Sequence, residues 1–247
     1  MTLRNRYKCP KCGSVFEIEQ RKVSYEFLPL CDECGTGMEV GRRGDPMLVE
    51  LTKHTEDPEM EIAEVGGISH GAGLEDIEEA RDRIRDFVKK GHHSTLEFAD
   101  ATFYVSGVSR SLLSQLTRHR HASFMVKSQR YTDASEEGMV IPDSAKEKIK
   151  HDDKAYDAYQ QYEKAKDRLV NRLRGNDVAK EDYRFFLPIG TKTELYIKAN
   201  FREWRHIIDL RGLNEHAQWE IREFAQRALR QLYEVAPSVF EDQYEEV

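Results

Sequence analysis

The stretch RHRHASFMVKSQRY occupies residues 118–131 and carries three arginines, one lysine and two histidines without a carboxylate. The acid-free window is wider, running from Ala101 to Thr132, in a chain whose formal net charge is −7. Such a run can be a solvated surface segment, or a crossing of acidic helices. It can also hold a phosphorylated ligand, because guanidinium groups match phosphate oxygens in pairs. Since only this patch is basic, a small anion fits it better than a nucleic acid.

The length, hydropathy and composition of the 247-residue chain limit the class of protein to which it can belong. Its length fits one large domain, or one medium domain with a small one. No apolar run approaches the roughly 20 residues of a membrane span, and the start MTLRNRYKC lacks the apolar core of a signal peptide. Aromatic residues make up 10% of the chain, which argues against disorder. We therefore expect a folded, soluble, cytoplasmic protein that binds neither membrane nor nucleic acid.

All the cysteines lie near the N-terminus, in two CxxC pairs separated by eighteen residues. Each pair can present two thiolates from one turn, and this spacing is typical of a zinc ribbon. Two disulfides or a redox pair are the alternatives, although no export signal favours them. The expected structural zinc ligands are Cys9, Cys12, Cys31 and Cys34. With a linker at residues 41–46, we predict a zinc ribbon and linker over 1–44 and a larger domain over 45–247.

Apolar spacing predicts a helix-rich α+β fold for the larger domain. Residues 100–106 alternate as a strand that Gly107 ends, and Ser109 is placed to cap a following helix. Residues 144–174 predict one long charged helix. A shorter strand is expected over 193–199, with a helix over 204–210. A last helix is expected over 215–236, ended by Pro237.

Several sequence motifs of this chain resemble those of one protein family and occur in the same order along the chain. The sequence Arg118-His119-Arg120, then seven residues, then Ser128, resembles the RHRx7S signature of flavin-dependent thymidylate synthases. Four further segments resemble other sequence elements of that family: GHHSTLE at 91–97, RFFLP at 184–188, NFREWRH at 200–206 and HAQWEI at 216–221. The resemblance covers about residues 46–247. It implies that family's helix-rich α+β fold, with the zinc ribbon as an addition.

The resemblance also implies a reaction. Methylenetetrahydrofolate gives a one-carbon unit to dUMP, reduced FAD supplies a hydride, NADPH reduces the flavin again, and dTMP is formed. It further implies a homotetramer with active sites built between subunits. One independent observation agrees: all the cysteines sit in the CxxC pairs, so none is spare to attack uracil as a nucleophile.

Site residues follow from the resemblance, position by position. Arg211 matches a catalytic arginine against the uracil ring, where it would stabilise developing charge. The nucleotide set, expected to hold dUMP, is Gln115, Arg118, Ser128, Arg130, Arg184 and Arg211. The flavin set, expected to contact FAD, is His92, Ser94, Glu97, Arg118, His119, Arg120, Asn200, Arg202, His206 and His216.

Three positions depart from the family pattern. Phe98 stands where histidine is common, and Met125 and Val126 stand where polar residues are usual. The spacing from Arg211 to His216 is also one residue longer than in some relatives. Two alternatives follow: a related flavin-dependent modification of dUMP, such as hydroxymethylation, or a zinc-ribbon adaptor that binds a nucleotide without turnover.

Overall fold

The computed structural model describes residues 4–8, 15–19, 47–68, 71 and 73–247. The four cysteines and the linker lie outside these residues, so the predicted zinc site and the domain boundary near residue 44 stay predictions. By proximity of their Cα atoms, the residues form two compact units. The first unit comprises Met1–Pro46 and Ser128–Thr193, and the second comprises Met47–Lys127 and Glu194–Val247.

The described strands form a two-stranded and a four-stranded sheet. In chain order they are β1 (Arg4–Lys8), β2 (Val15–Glu19), β3 (Leu48–His54), β4 (Asp100–Ser109), β5 (Ser123–Val126) and β6 (Lys192–Asn200). β1 pairs antiparallel with β2, and the larger sheet has the order β3-β4-β6-β5. β3 is antiparallel to β4, and β5 to β6, with Val126 opposite Leu195.

Helices make up most of the remaining described chain. They are α1 (Pro58–Ile68), α2 (Ile77–Lys89), α3 (Arg110–Leu116), α4 (Asp143–His151), α5 (Asp153–Arg174), α6 (Lys180–Tyr183), α7 (Phe201–Ile207), α8 (Trp219–Val235) and α9 (Pro237–Tyr244). A 3₁₀ helix covers His93–Phe98, and a wider π-helical segment, Ile208–Leu213, continues from α7. The predicted helix-rich α+β class is confirmed. Among the described residues, no helix combines the length and apolarity needed to cross a bilayer.

The core of the second unit fixes the strand and helix that flank the site described below. Ala101, Phe103 and Val105 on β4 are fully buried, as their alternation predicts. Trp204 packs edge-on against Phe103 with ring centroids 4.8 Å apart, and its indole N–H donates to the Ala101 carbonyl at 3.1 Å. α7 is thereby fixed against β4, which determines where the following π-helical segment lies.

Some of the element ends expected from the sequence were wrong. The strand does not stop at Gly107, which adopts a positive φ of 71° inside β4, a conformation that glycine allows. The long helix is broken in two at Asp152, whose side chain caps α5 by accepting from the backbone of Lys154. α8 is not the last helix, because Pro237 begins α9, where its fixed φ suits the first helical turn.

Candidate active site

The basic segment, residues 118–131, begins just after the end of α3. Ser109 caps α3 by accepting from Leu112 N at 3.0 Å, as predicted. After α3 the chain turns, with His119 N donating to Leu116 O at 3.1 Å. This turn exposes Arg118 and Arg120 and directs His119 inward, where it is 4% exposed. Two of the three basic side chains therefore face solvent, and the third enters the interior.

His119 is held between an acid and an arginine. Its Nδ1 lies 3.3 Å from Glu203 Oε1, and its Nε2 accepts a hydrogen bond from Arg211 Nε at 3.1 Å. Burial, then the charges of Arg211 and His206, lower the pKa of His119 to about 4, because both disfavour the protonated ring. The ring is therefore neutral at pH 7. An Nε2 that accepts from arginine requires the proton on Nδ1, and that nitrogen faces the Glu203 carboxylate at 3.3 Å.

Glu203 is a buried carboxylate that the sequence analysis did not identify. It is 6% exposed, in the first turn of α7, and burial raises the pKa of its carboxyl. The charges of His206 and His121 act on that pKa in the opposite direction. The only signal in the sequence is one acidic residue within NFREWRH, and its spacing gives no indication that it faces His119.

Arg211 belongs to the π-helical segment Ile208–Leu213 and is half-buried. Such wide turns are frequent at functional sites. Gly212 next to it is buried, and a Cβ there would lie 3.3 Å from Ala225 Cβ on α8. The close packing of the π-helical segment against α8 thus fixes the backbone from which Arg211 extends.

Part of the flavin set meets at the start of α7. Phe201 N donates to Ala99 O at 2.9 Å, which joins α7 to the end of the 3₁₀ helix His93–Phe98. Arg202 reaches Glu97 at 2.6 Å, and both side chains are about half exposed. Asn200 caps α7 by accepting from Glu203 N at 2.9 Å.

His206 also lies beside His119, with ring centroids 5.7 Å apart. One connected group therefore exists in the second unit, although its members come from distant parts of the chain. Its members are His119, Asn200, Glu203, His206 and Arg211.

Other predicted residues of the second unit lie in less constrained places. Gln115 is half-buried on α3, with its amide 3.5 Å from Ser111 O. His92 and Ser94 are exposed, just before and within the 3₁₀ helix. His216 is exposed in the turn before α8, with its backbone N–H donating to Asn214 Oδ1 at 2.9 Å. The helix starts at Trp219 and not at residue 215, so His216 is a loop residue.

The first unit brings three members of the nucleotide set together. Ser128 Oγ accepts from Arg130 N at 3.2 Å. Arg130 Nε contacts the Glu181 carboxylate at 2.6 Å, and Arg184 Nε donates to the carbonyl of the same residue at 3.0 Å. Arg184 also lies 5.9 Å from the ring of Phe185, which is 80% exposed. Two arginines thus meet at Glu181, with a hydroxyl beside one of them.

The chain is similar to known proteins over most of its length. Residues 50–238 match the family model Thy1, described as thymidylate synthase complementing protein. A flavin-dependent thymidylate synthase of Geobacter sulfurreducens is 36% identical over 205 residues, covering 79% of this chain and 86% of that protein. Another from Mycobacteroides abscessus is 37% identical over 170 residues, covering 64% of this chain and 68% of that protein.

Solved structures resemble the fold as well. A UMP/dUMP methylase, PolB, of Streptomyces cacaoi, bound with 5-Br dUMP, superposes with a TM-score of 0.69. The match covers 81% of this chain and 95% of that one at 23% identity, so the likeness is one of fold. With the family model spanning most of the sequence, the chain belongs to the thymidylate synthase complementing protein family, Thy1.

Proposed function

We propose that this protein converts dUMP to dTMP by FAD-dependent reductive methylation, with methylenetetrahydrofolate as the one-carbon donor and NADPH as the reductant. The observation that carries the proposal is the connected group in the second unit, in which a half-buried Arg211 is held by His119 beside α7. Family membership and the names of the curated relatives support it. A cytoplasmic location accompanies the proposal.

The residues near α7 fit a flavin dinucleotide chemically. Its pyrophosphate needs cations, and Arg118, Arg120 and Arg202 are exposed arginines that stay charged at working pH. Glu97 already holds Arg202 at 2.6 Å, which limits the directions in which that guanidinium can point. Bound flavin would supply the hydride that the reaction requires. The remaining members of the flavin set, His92, Ser94, His119, Asn200, His206 and His216, are proposed to line the same region.

Arg211 is the proposed catalytic residue. A fixed positive charge against uracil would stabilise the negative charge that develops on the ring as carbon 5 becomes nucleophilic. Arginine suits this role because it stays protonated in a half-buried place. Because its hydrogen-bond partner, His119, is a neutral imidazole, that partner does not neutralise the positive charge of Arg211.

The remaining nucleotide set is proposed to bind the monophosphate and sugar. Arg130 and Arg184 converge on Glu181, and Ser128 adds a hydroxyl. We propose that a phosphate replaces the carboxylate of Glu181 as the partner of Arg130, because a dianion attracts a guanidinium more strongly. Gln115 and Arg118 would complete the set.

We also propose that the protein is a homotetramer with a structural zinc. The family resemblance supports four subunits, and size-exclusion chromatography with light scattering measures the number directly. For zinc, Cys9 and Cys12 fall between β1 and β2 in the chain, and these strands pair antiparallel. A hairpin whose connection holds a CxxC pair suits a ribbon, because it presents two thiolates from one turn. Metal analysis should find one zinc per chain, and finding none would contradict the proposal.

One observation favours a second candidate product, a hydroxymethylated nucleotide. Phe98 directly follows Glu97, occupies a position where the family commonly has histidine, and is 59% exposed. Met125, at another departure from the pattern, is 73% exposed. Two apolar side chains in place of polar ones can change how water reaches a one-carbon intermediate, and a hydroxymethylated nucleotide is the outcome that such a change would give.

An anaerobic assay with FAD, dUMP, methylenetetrahydrofolate and NADPH tests the function. Mass spectrometry should find dTMP, and a hydroxymethylated product would favour the second candidate. Arg211→Ala should lower kcat at least about 100-fold, the usual loss when a group that stabilises developing charge is removed. The matched control is Arg230→Ala, an exposed arginine on α8 that should leave kcat unchanged. No product and no flavin binding by the parent protein would favour a non-catalytic adaptor.

A further inference from the structure

We infer that Glu203 is a positioning residue that fixes the tautomer of His119 and, through it, the direction of Arg211. The inference rests on the proposed function, because it gives Arg211 its role, but its residues and contacts are separate from that assignment. Glu203 belongs to neither the nucleotide set nor the flavin set, and for His119 the contact with Arg211 is additional to its expected place beside the flavin.

Both ring nitrogens of His119 are engaged by protein groups. One faces Glu203 Oε1 at 3.3 Å, and the other accepts from Arg211 Nε at 3.1 Å. The ring is 4% exposed, so neither nitrogen is turned to solvent. A side chain in this position supports Arg211 from behind.

The partners of His119 decide which nitrogen carries its proton. A neutral imidazole has one donor and one acceptor nitrogen, and the partner of one nitrogen determines the state of the other. Arg211 can only donate, so its hydrogen bond exists only when Nε2 is unprotonated. The Glu203 carboxylate can only accept, and its oxygen 3.3 Å from Nδ1 favours the proton on that nitrogen. Without Glu203 the ring is free to protonate Nε2, and Arg211 then loses its partner.

Glu203 is itself held rigidly. Its backbone N–H donates to the Asn200 side chain at 2.9 Å, which caps α7. Trp204, the next residue, is fully buried against β4. A carboxylate on such a fixed turn can set the orientation of its partner.

Glu203→Met is the decisive variant, since methionine keeps the length of the side chain and has no oxygen. We expect kcat to fall about 10- to 100-fold, as for loss of a buried hydrogen bond to a charged group. KM for dUMP should change little, because Arg211 acts mainly on the transition state. Glu203→Gln should retain kcat within about threefold, because its amide oxygen can take the place of the carboxylate oxygen that faces Nδ1.

The matched control is Glu59→Met. Glu59 is another buried carboxylate in the first turn of a helix of the same unit, and it accepts from Ser238 N at 2.8 Å. This variant should lose stability but keep its kcat per folded enzyme. If Glu203 were only structural, Glu203→Met would behave in the same way, and that result would overturn the inference.

The pH profile gives a readout that does not depend on the methionine variant folding. The charged and titratable groups that face His119 are Glu203 and His206 from α7 and Arg211 from the π-helical segment, while His121 acts on Glu203. A carboxylate beside an imidazole favours the protonated ring. In Glu203→Gln the acid limb of kcat should therefore move to lower pH, and an unchanged limb would contradict the inference.

Failure of the proposed function is distinguishable from failure of this inference. If the parent protein forms no modified nucleotide, the function is wrong, and the inference is then tested by crystal structures of the parent and Glu203→Met. The parent should show Arg211 bonded to His119, and the variant should show Arg211 displaced. The same Arg211–His119 geometry in both would overturn the inference without reference to turnover.

Discussion

Ser109→Ala tests how the start of α3, and with it the basic segment, is fixed. The Ser109 hydroxyl accepts from Leu112 N at 3.0 Å and donates to Glu220 Oε2 at 2.5 Å, while its backbone N–H donates to Glu220 Oε1 at 2.7 Å. Ser109 and Glu220 are each 2% exposed. Removing the hydroxyl therefore deletes a helix cap and also leaves a buried carboxylate oxygen without its donor.

The two losses have separate magnitudes. A lost serine cap costs about 1 kcal/mol, and a lost hydrogen bond to a buried charged group costs about 2 kcal/mol. We expect the free energy of unfolding to fall by about 3 kcal/mol, which lowers the melting temperature by about 6 to 12 °C in a chain of this size.

Urea unfolding followed by circular dichroism measures the effect. Ser114→Ala is the matched control on the same helix, because the exposed Ser114 hydroxyl donates only to Ser111 O at 2.7 Å. It should cost no more than about 0.5 kcal/mol. If Ser109→Ala costs as little as its control, the Ser109–Glu220 contact does not fix α3 as described.

Three further perturbations have expected outcomes. Gly66→Ala should destabilise by about 1 to 3 kcal/mol in urea unfolding, because a Cβ would collide with the ring of buried Phe87. Asp242→Ala should cost about 2 kcal/mol in the same assay, since the buried Arg205 guanidinium loses its hydrogen bonds to that carboxylate at 2.6 and 2.7 Å. Lowering the pH from 7.5 to 5 should remove about 2 kcal/mol of unfolding free energy through His119, whose pKa is depressed to about 4.

The sign of the pH effect follows from proton binding. Below about pH 6.5 the unfolded chain protonates this histidine while the native ring stays neutral. Stability therefore falls as the pH falls, and the loss is complete below the native pKa of about 4. Comparing the parent with His119→Asn isolates the effect, because the other histidines titrate in both. Equal slopes in the two proteins would contradict it.

Substitutions at exposed positions serve as controls for Gly66→Ala and Asp242→Ala. Glu64 lies on the exposed side of α1, and Glu245 follows α9. Glu64→Ala and Glu245→Ala should each change stability by less than about 0.5 kcal/mol. A Gly66 or Asp242 variant no less stable than its control would show that the corresponding contact is not needed for stability.

Local patterns predicted the elements whose signals lie within a few residues. The alternation of residues 101–105 and the Ser109 cap depend on neighbours in the chain, and the family membership implied by the ordered motifs is confirmed. The break at Asp152 was missed because its cap competes with a helical pattern that continues on both sides. β5 was not predicted, because a strand of four residues is too short to show a clear alternation of apolar and polar side chains.

Partners of buried polar groups could not be predicted in the same way. Glu203 meets His119, and Glu220 meets Ser109, across more than eighty positions of the chain in each case. Each carboxylate is one charged residue on a helix until the fold brings a donor to it. The π-helical segment that carries Arg211 also lacks a local signal in the sequence, and its Gly212 packs against Ala225 on the following helix, α8.

A crystal structure of the assembled protein with FAD and dUMP tests the central claim most directly. The proposal predicts that Arg211 lies within hydrogen-bond distance of the uracil ring, with His119 behind it and Arg118 and Asn200 lining the same site. An Arg211 remote from the uracil ring in every copy would contradict the account.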